Sequence, residues 1–178
     1  MRWFTYPSPN LGTSSGGVYT VDRVADKIDF VHDHIIVLRS GAAGQSQQTA
    51  HKIRHLIYSH VNEQGRLPHV KTAARMFQKQ NYEKGLETGY IVAGWDPYDG
   101  PQVYSVNLGG ACLLRDFTMG GSGSGFIYGY CDANYRENMS FEEAKAFCIN
   151  AVSLAMKRDG SSGGIIRLAN ITDRGIEK

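Results

Sequence analysis

A chain of 178 residues, 42% hydrophobic and 20% charged, is long enough for one globular domain with a sizeable core. The formal net charge is +2 and the basic residues do not cluster, so nucleic-acid binding is not supported. No apolar run is long enough to cross a bilayer, which argues against a membrane protein. Cys112, Cys131 and Cys148 are widely spaced, which predicts a reducing compartment and disfavours a disulfide framework or a zinc site.

The first third of the chain is predicted to contain irregular segments, then strands, then helices. Prolines and a glycine interrupt any periodic pattern of apolar residues over residues 1–12, so this segment is predicted to be irregular. A flexible loop over 13–17 and a short extended piece over 18–24 follow. Alternating and continuous apolar patterns then predict two strands, 28–31 and 34–38, and apolar residues at helical spacing predict two helices, 43–61 and 70–82.

The second half repeats the order of strands and helices. Short Gly- and Pro-containing turns separate three predicted strands of an antiparallel meander, 90–95, 103–106 and 111–118. One helix is expected to start near Phe126, and another covers 141–156 behind a capping box of Ser140 and Glu143. A last strand covers 165–171. This order predicts a layered α+β fold in which helices cover a sheet sandwich.

The turn from Arg158 to Gly164 carries one acid, two serines and three glycines between the last helix and the last strand. Glycines allow close approach of the backbone, so Asp159 and a serine could orient a reactive group supplied from elsewhere. The alternative is a plain helix-to-strand turn with a glycine stop. The residues alone leave both interpretations open.

Two other patterns have a structural interpretation beside a functional one. Residues 121–125, Gly-Ser-Gly-Ser-Gly before a helix, could cradle an anion, but no P-loop or Gly-x-Gly-x-x-Gly motif is present, and a turn packed beside another site is favoured. His51 and His55 share a helix face without a third ligand, which favours a solvated face over a metal site.

Two cations at strand ends are candidates for chemistry. Lys27 heads a strand, where a lysine is normally solvated; if it were buried, it could lower the pKa of a nearby nucleophile. Arg39 ends an apolar strand and could bind a carboxylate bidentately or reach solvent.

Six segments together resemble a known family. They are Val24-Ala25-Asp26-Lys27, Arg39-Ser40-Gly41-Ala42-Ala43, Ala93-Gly94-Trp95-Asp96, Gly120-Gly121-Ser122-Gly123-Ser124, Tyr128-Gly129-Tyr130 and Arg158-Asp159-Gly160-Ser161-Ser162-Gly163-Gly164. In order and spacing, these segments resemble those of 20S proteasome beta subunits, most of all the caspase-like (beta-1 or type-6) kind. The resemblance extends from about Ser14 to Lys178.

The resemblance implies a four-layer αββα sandwich of the N-terminal-nucleophile hydrolase type and a threonine-type endopeptidase that cleaves after acidic residues. It implies no cofactor and no metal. The partners it implies are other alpha and beta subunits in stacked heptameric rings and polypeptide substrates, in cytoplasm and nucleus, within ubiquitin-dependent protein degradation.

The resemblance also assigns roles by position. It implies catalytic support from Lys27, from Ser122, from the backbone N–H of Gly41 as oxyanion donor, and from Asp159 and Ser162 around the nucleophile's amine and a water. Arg39 takes the place of the basic residue at the base of the substrate pocket. The implied substrate-binding residues are Ser14, Ser15, Ala25, Arg39 and Ala43.

The N-terminal region departs from the family pattern. The match begins at the loop of Ser14 and Ser15, so residues 1–13 are expected to be an atypical segment and residues 14–178 the single beta-subunit domain, lacking the first strand or strands. Thr13 lies only 14 residues before Lys27, too few for the family's intervening strands, so it is not the expected nucleophile. The chain as written is therefore expected to be inactive as a peptidase. The alternative to a catalytic-type subunit is a non-catalytic structural beta subunit.

Overall fold

The computed structural model describes residues 26–178 in full and residues 2–7 as a strand. Eight strands and four helices lie in these ranges: β1 Arg2–Pro7, β2 Ile28–His32, β3 Ile35–Gly41, α1 Ala43–Gln64, α2 Val70–Lys84, β4 Thr88–Asp96, β5 Gly100–Val106, β6 Cys112–Arg115, α3 Tyr128–Asn134, α4 Phe141–Arg158, β7 Ile166–Thr172 and β8 Gly175–Glu177. Short 3₁₀ turns lie at Leu108–Gly110 and Ser122–Phe126.

The strands form two antiparallel sheets. The larger sheet has five strands in the order β2-β3-β4-β5-β6, so neighbours in sequence are neighbours in space. The smaller sheet has three strands in the order β1-β7-β8. Short turns can join antiparallel neighbours, and the predicted meander of three strands is confirmed as β4, β5 and β6.

The helices and sheets are layered around three groups of buried side chains. Helices α1 and α2 pack on one face of the five-stranded sheet, where Ile53, Val70 and Phe77 meet Val37 and Val92. A second group lies between the two sheets, and its members include Ile36, Leu38 and Ile91 from the larger sheet and Ala169 and Ile171 from β7. The third group joins α3 and α4 to β7. The predicted α+β layering is confirmed at this level.

The buried carboxylate of Asp96 connects the β4–β5 turn to the start of α2. One of its oxygens accepts hydrogen bonds from the backbone N–H groups of Tyr98 (3.0 Å) and Asp99 (2.8 Å). The other accepts from Val70 N (2.9 Å) and Gln102 Nε2 (2.8 Å). Burial raises the pKa of Asp96, but these four bonds outweigh it and leave the pKa below its usual value.

Helix α4 begins as its sequence predicts. The Ser140 side chain accepts a hydrogen bond from Glu143 N, while the Glu143 carboxylate accepts one from Ser140 N at 2.9 Å, which is a complete capping box. Two acids in the first turn and Lys157 and Arg158 in the last complement the helix dipole.

Several local predictions need correction. The prediction that residues 1–12 are irregular is wrong for Arg2–Pro7, which pairs with β7 from Arg2↔Ile171 to Pro7↔Ile166. The helix expected near Phe126 begins at Tyr128, after the 3₁₀ turn. The strand predicted over 111–118 is shorter, and β8 was not predicted. The predicted loop 13–17 and extended piece 18–24 lie outside the described residues.

Candidate functional site

The turn that follows α4 holds a compact group of one carboxylate and three serines. Helix α4 ends at Arg158, and Asp159 is its C-cap, donating its backbone N–H to Ala155 O at 2.8 Å. The Asp159 carboxylate accepts hydrogen bonds from Ser122 Oγ at 2.6 Å, from the Ser162 hydroxyl and from Ser161 N at 3.0 Å. Asp159, Ser122 and Ser162 are thus brought together.

These donors hold Asp159 in its charged form. Burial raises the pKa of the carboxyl, but the hydrogen bonds from Ser122, Ser162 and the Ser161 backbone outweigh it and leave the pKa below its usual value. An anion near a hydroxyl and a backbone turn can orient a neighbouring amine or water. The stretch is thus a helix-to-strand turn that also holds an acid–serine group.

The glycine-rich loop 121–125 supplies one side of this group. Residues Ser122–Phe126 form a 3₁₀ turn, and Ser122 reaches across to Asp159. A Cβ on Gly123 would lie 3.1 Å from Ala155 Cβ, 3.2 Å from Ser162 Oγ and 3.3 Å from Asp159 Oδ2. The loop thus packs directly on the acid–serine group, in agreement with the interpretation of a turn packed beside another site.

A second group of candidate residues lies where β2 and β3 pair. Lys27 precedes β2, and its carbonyl oxygen accepts a hydrogen bond from Arg39 N at 3.2 Å. Burial, and after it the positive charge of Arg39, lowers the pKa of Lys27 to about 8. A lysine with such a pKa loses its proton more readily than an exposed one and can serve in proton transfer near neutral pH.

Arg39 is buried, and each of its three guanidinium nitrogens contacts its own chain. Its Nε forms an ion pair with the Asp29 carboxylate, Nη2 donates to Asp26 O at 3.0 Å, and Nη1 approaches Ser46 Oγ at 3.4 Å. Ser46 Oγ donates in turn to Ala43 O at 3.0 Å, which places Ala43 beside this group. Of the two alternatives for Arg39, contact with a carboxylate is the one seen, but it is made through Nε alone and to an acid of the same chain, so bidentate binding stays a prediction.

Gly41 ends β3 in a conformation that only glycine adopts easily. Its φ is +83°, and a Cβ would lie 2.3 Å from the carbonyl oxygen of Glu87. The next residue, Ala42, donates its N–H to the same oxygen at 3.1 Å. The absence of a side chain is therefore what lets this strand end approach the start of β4.

Not all predicted site residues can be placed. Ser14, Ser15 and Ala25 lie outside the described residues, so no contact is assigned to them. Sequence reasoning missed Asp29 and Ser46, the partners of Arg39. The alternation of strand residues offered a signal for Asp29, because it lies two positions after Lys27, on the same face of β2.

The remaining motifs have structural explanations. His51 and His55 are exposed on α1, which confirms the solvated face. Among residues 26–178, His69, Asp96 and Asp99 come close enough to suggest a metal site, but both oxygens of Asp96 already accept two N–H donors each. We therefore interpret Asp96 as a structural acid.

The three cysteines are free thiols in the structure. Burial raises the pKa of Cys131 to about 11 and of Cys148 to about 12, so both stay protonated at neutral pH. In the described ranges, no helix combines the length and apolar character that spanning a membrane requires.

Comparison with known proteins identifies the family. A family model described as "Proteasome subunit" matches residues 12–171. "Proteasome subunit beta type-6" of Dictyostelium discoideum is 43% identical over 164 residues, which cover 91% of this chain and 77% of that protein. "Proteasome subunit beta type-1" of Saccharomyces cerevisiae is also 43% identical over 164 residues, covering 91% and 76%. "Proteasome subunit beta type-6" of Arabidopsis thaliana is 38% identical over 167 residues, covering 93% and 72%. The chain therefore belongs to the proteasome subunit family and is a beta subunit similar to the type-6 and type-1 subunits.

Proposed function

We propose that the chain is a beta subunit of the 20S proteasome core of the caspase-like type. The observation that carries the proposal is the Asp159 carboxylate with its three donors, Ser122, Ser162 and the Ser161 backbone, at the positions where the resemblance predicts support for a catalytic amine. The similarity to type-6 and type-1 subunits supports it. Residues 14–178 would form the single beta-subunit domain, with the strand Arg2–Pro7 added to its smaller sheet through β7.

The proposed fold is the four-layer αββα sandwich of the N-terminal-nucleophile hydrolases. Helices α1 and α2 against the five-stranded sheet supply two layers. The apolar side chains between that sheet and β7 supply the contact between the two inner layers. Helix α4, which contributes Phe147, Ala151 and Ala155 to the third apolar group, supplies the fourth layer.

The proposed chemistry is threonine-type peptide hydrolysis. In this scheme Lys27, with its lowered pKa, would favour deprotonation of the threonine hydroxyl, and Asp159 with Ser122 and Ser162 would position the amine and the water. The N–H of Gly41 would stabilise the oxyanion. Arg39 and Ala43 would line the pocket for the residue before the cleaved bond, with acidic side chains drawn to Arg39.

The proposed partners are other alpha and beta subunits in stacked heptameric rings, with polypeptides as substrates. The proposed setting is ubiquitin-dependent protein degradation in cytoplasm and nucleus. Protonated, buried thiols at Cys131 and Cys148 are compatible with a reducing compartment.

The second candidate function is a non-catalytic position in the ring. The spacing of 14 residues between Thr13 and Lys27 favours it, because these residues are too few for Thr13 to be the nucleophile that the resemblance implies.

Two measurements on the full chain separate these functions. Association with alpha and beta subunits, followed by size-exclusion chromatography and mass spectrometry, tests membership of the ring; a chain that remains apart contradicts the proposal. Hydrolysis of a fluorogenic peptide with a terminal acidic residue tests catalysis. Activity that a threonine-directed covalent inhibitor blocks would refute the non-catalytic function and support the first one.

A further inference from the structure

Every nitrogen of the Arg39 guanidinium has a partner within the chain. Nε contacts the Asp29 carboxylate, Nη2 donates to Asp26 O at 3.0 Å, and Nη1 lies 3.4 Å from Ser46 Oγ. A carboxylate from a bound peptide needs two of these donors to form the bidentate pair that makes arginine selective for acids. On the Nε side of the Arg39 guanidinium, the Asp29 carboxylate already occupies such a position.

The β2–β3 pairing explains why Asp29 lies there. Lys27 faces Arg39 across the strands, through the Arg39 N to Lys27 O hydrogen bond. Asp29 lies two residues further along β2, so its side chain points to the same face as that of Lys27 and lies diagonally opposite Arg39. The ion pair is thus built into the register of the hairpin.

The two charges are unequally exposed. The Asp29 side chain retains 25% of its exposure, whereas that of Arg39 retains 10%. The acid is therefore the more accessible member of the pair. Repulsion by Asp29 offsets the attraction by Arg39, and desolvation of a second carboxylate adds to the cost of acid binding.

We propose that Asp29 is a specificity-determining residue that acts as an internal counter-ion of Arg39 and occupies the Nε side of its guanidinium. With Asp29 present, part of the positive charge of Arg39 is compensated, which weakens the preference of the pocket for acidic side chains; without Asp29, that preference is stronger. This inference rests on the proposed function, in which Arg39 lies at the base of the substrate pocket.

The test compares two blocked, fluorescently labelled peptides that are identical except for a terminal Asp or Asn. Their affinities for the full chain are measured by fluorescence anisotropy in the unmodified protein and in the variants Asp29→Asn, Asp29→Glu and Asp33→Asn. Asp33 is an exposed acid in the adjoining β2–β3 turn, so its variant controls for the general loss of a negative charge. Circular dichroism shows whether each variant is folded.

We expect Asp29→Asn to raise the preference for the Asp peptide over the Asn peptide by about tenfold, the effect of one charge-assisted hydrogen bond. The other three proteins keep an acid at position 29 and should share one smaller preference for the Asp peptide. An unchanged ratio in Asp29→Asn, or an equal increase in Asp33→Asn, overturns the role of Asp29. A folded Asp29→Asn chain that binds neither peptide overturns both this role and the proposed pocket, whereas ring membership is tested separately by subunit association.

A measurement on the unmodified protein covers the case in which Asp29→Asn does not fold. The Arg39 Nε–Hε resonance is followed by NMR during titration with the Asp peptide. We expect little change in its chemical shift, because Asp29 keeps Nε occupied. A large, saturable shift would mean that the peptide carboxylate displaces Asp29, and would overturn the proposal.

Discussion

Replacement of Gly41 by alanine tests the local geometry of the predicted oxyanion residue most directly. A non-glycine residue in the left-handed region costs about 1–2 kcal/mol. The new Cβ would lie 2.3 Å from Glu87 O, so the strand ends must separate by about 0.7 Å to reach the 3.0 Å limit of real contacts. That movement weakens the 3.1 Å hydrogen bond from Ala42 N to Glu87 O, which contributes about 0.5–1.5 kcal/mol. We expect a total loss of roughly 2–3 kcal/mol in the free energy of unfolding.

Thermal unfolding of the full chain, followed by circular dichroism, measures this loss. For a chain of this size the expected decrease in Tm is about 4–12 °C. Gly44→Ala is the matched control, because Gly44 lies in α1 with no atom within 4 Å of an added Cβ. A helical glycine replaced by alanine should gain up to about 1 kcal/mol. If the two variants unfold at the same temperature, the contact between Gly41 and Glu87 does not constrain the site and the reasoning is refuted.

Two further predictions concern pH. The lowered pKa of Asp159 stabilises the fold above its unfolded value of about 3.9, and this contribution is lost as the pH falls through the folded pKa. Asp159→Asn should therefore lower the free energy of unfolding by about 1–3 kcal/mol at pH 7. Urea unfolding should show that the difference in this free energy between the variant and the unmodified chain becomes smaller below about pH 4. A difference that does not change with pH would contradict this. For Lys27 the folded state disfavours the charged form. Its pKa of about 8 lies below the value in the unfolded chain, so above pH 8 the unfolded chain binds more protons than the folded one, and the free energy of unfolding rises with pH. Unfolding at pH 7 and pH 10 should show this rise reduced in Lys27→Met, and an NMR titration of dimethylated Lys27 with a midpoint above 10 would refute it.

Local patterns predicted the helices and the meander well because their signals lie within a few residues of each element. Helix α4 is an example, since Ser140 and Glu143 mark its start and form the capping box seen in the structure. Strand β1 is the opposite case. Its pairing partners, from Ile166 to Ile171, lie at the other end of the chain, so no local pattern near residues 2–7 reveals the pairing.

The hydrogen bonds of the candidate site could not be predicted from the sequence, although two of the segments that form them stand out in it. The turn at Asp159 and the Ser122 loop were both singled out, and the hydrogen bond that joins them spans 37 residues. The counter-ion of Arg39 depended on the register of the β2–β3 hairpin, which shifts between Phe30 and His32. A sequence does not show such a bulge, so it does not decide which nearby acid faces the arginine.

The four hydrogen bonds to Asp96 have a consequence for cooperativity. The carboxylate holds the first N–H of α2, at Val70, and the N–H groups of Tyr98 and Asp99 in the β4–β5 turn. Opening the turn alone would leave the buried charge with two of its four donors, and opening the helix start alone would leave it with three. We therefore expect the helix start and the turn to open together as one local unit, so that hydrogen exchange at Val70 and Asp99 reports a single event.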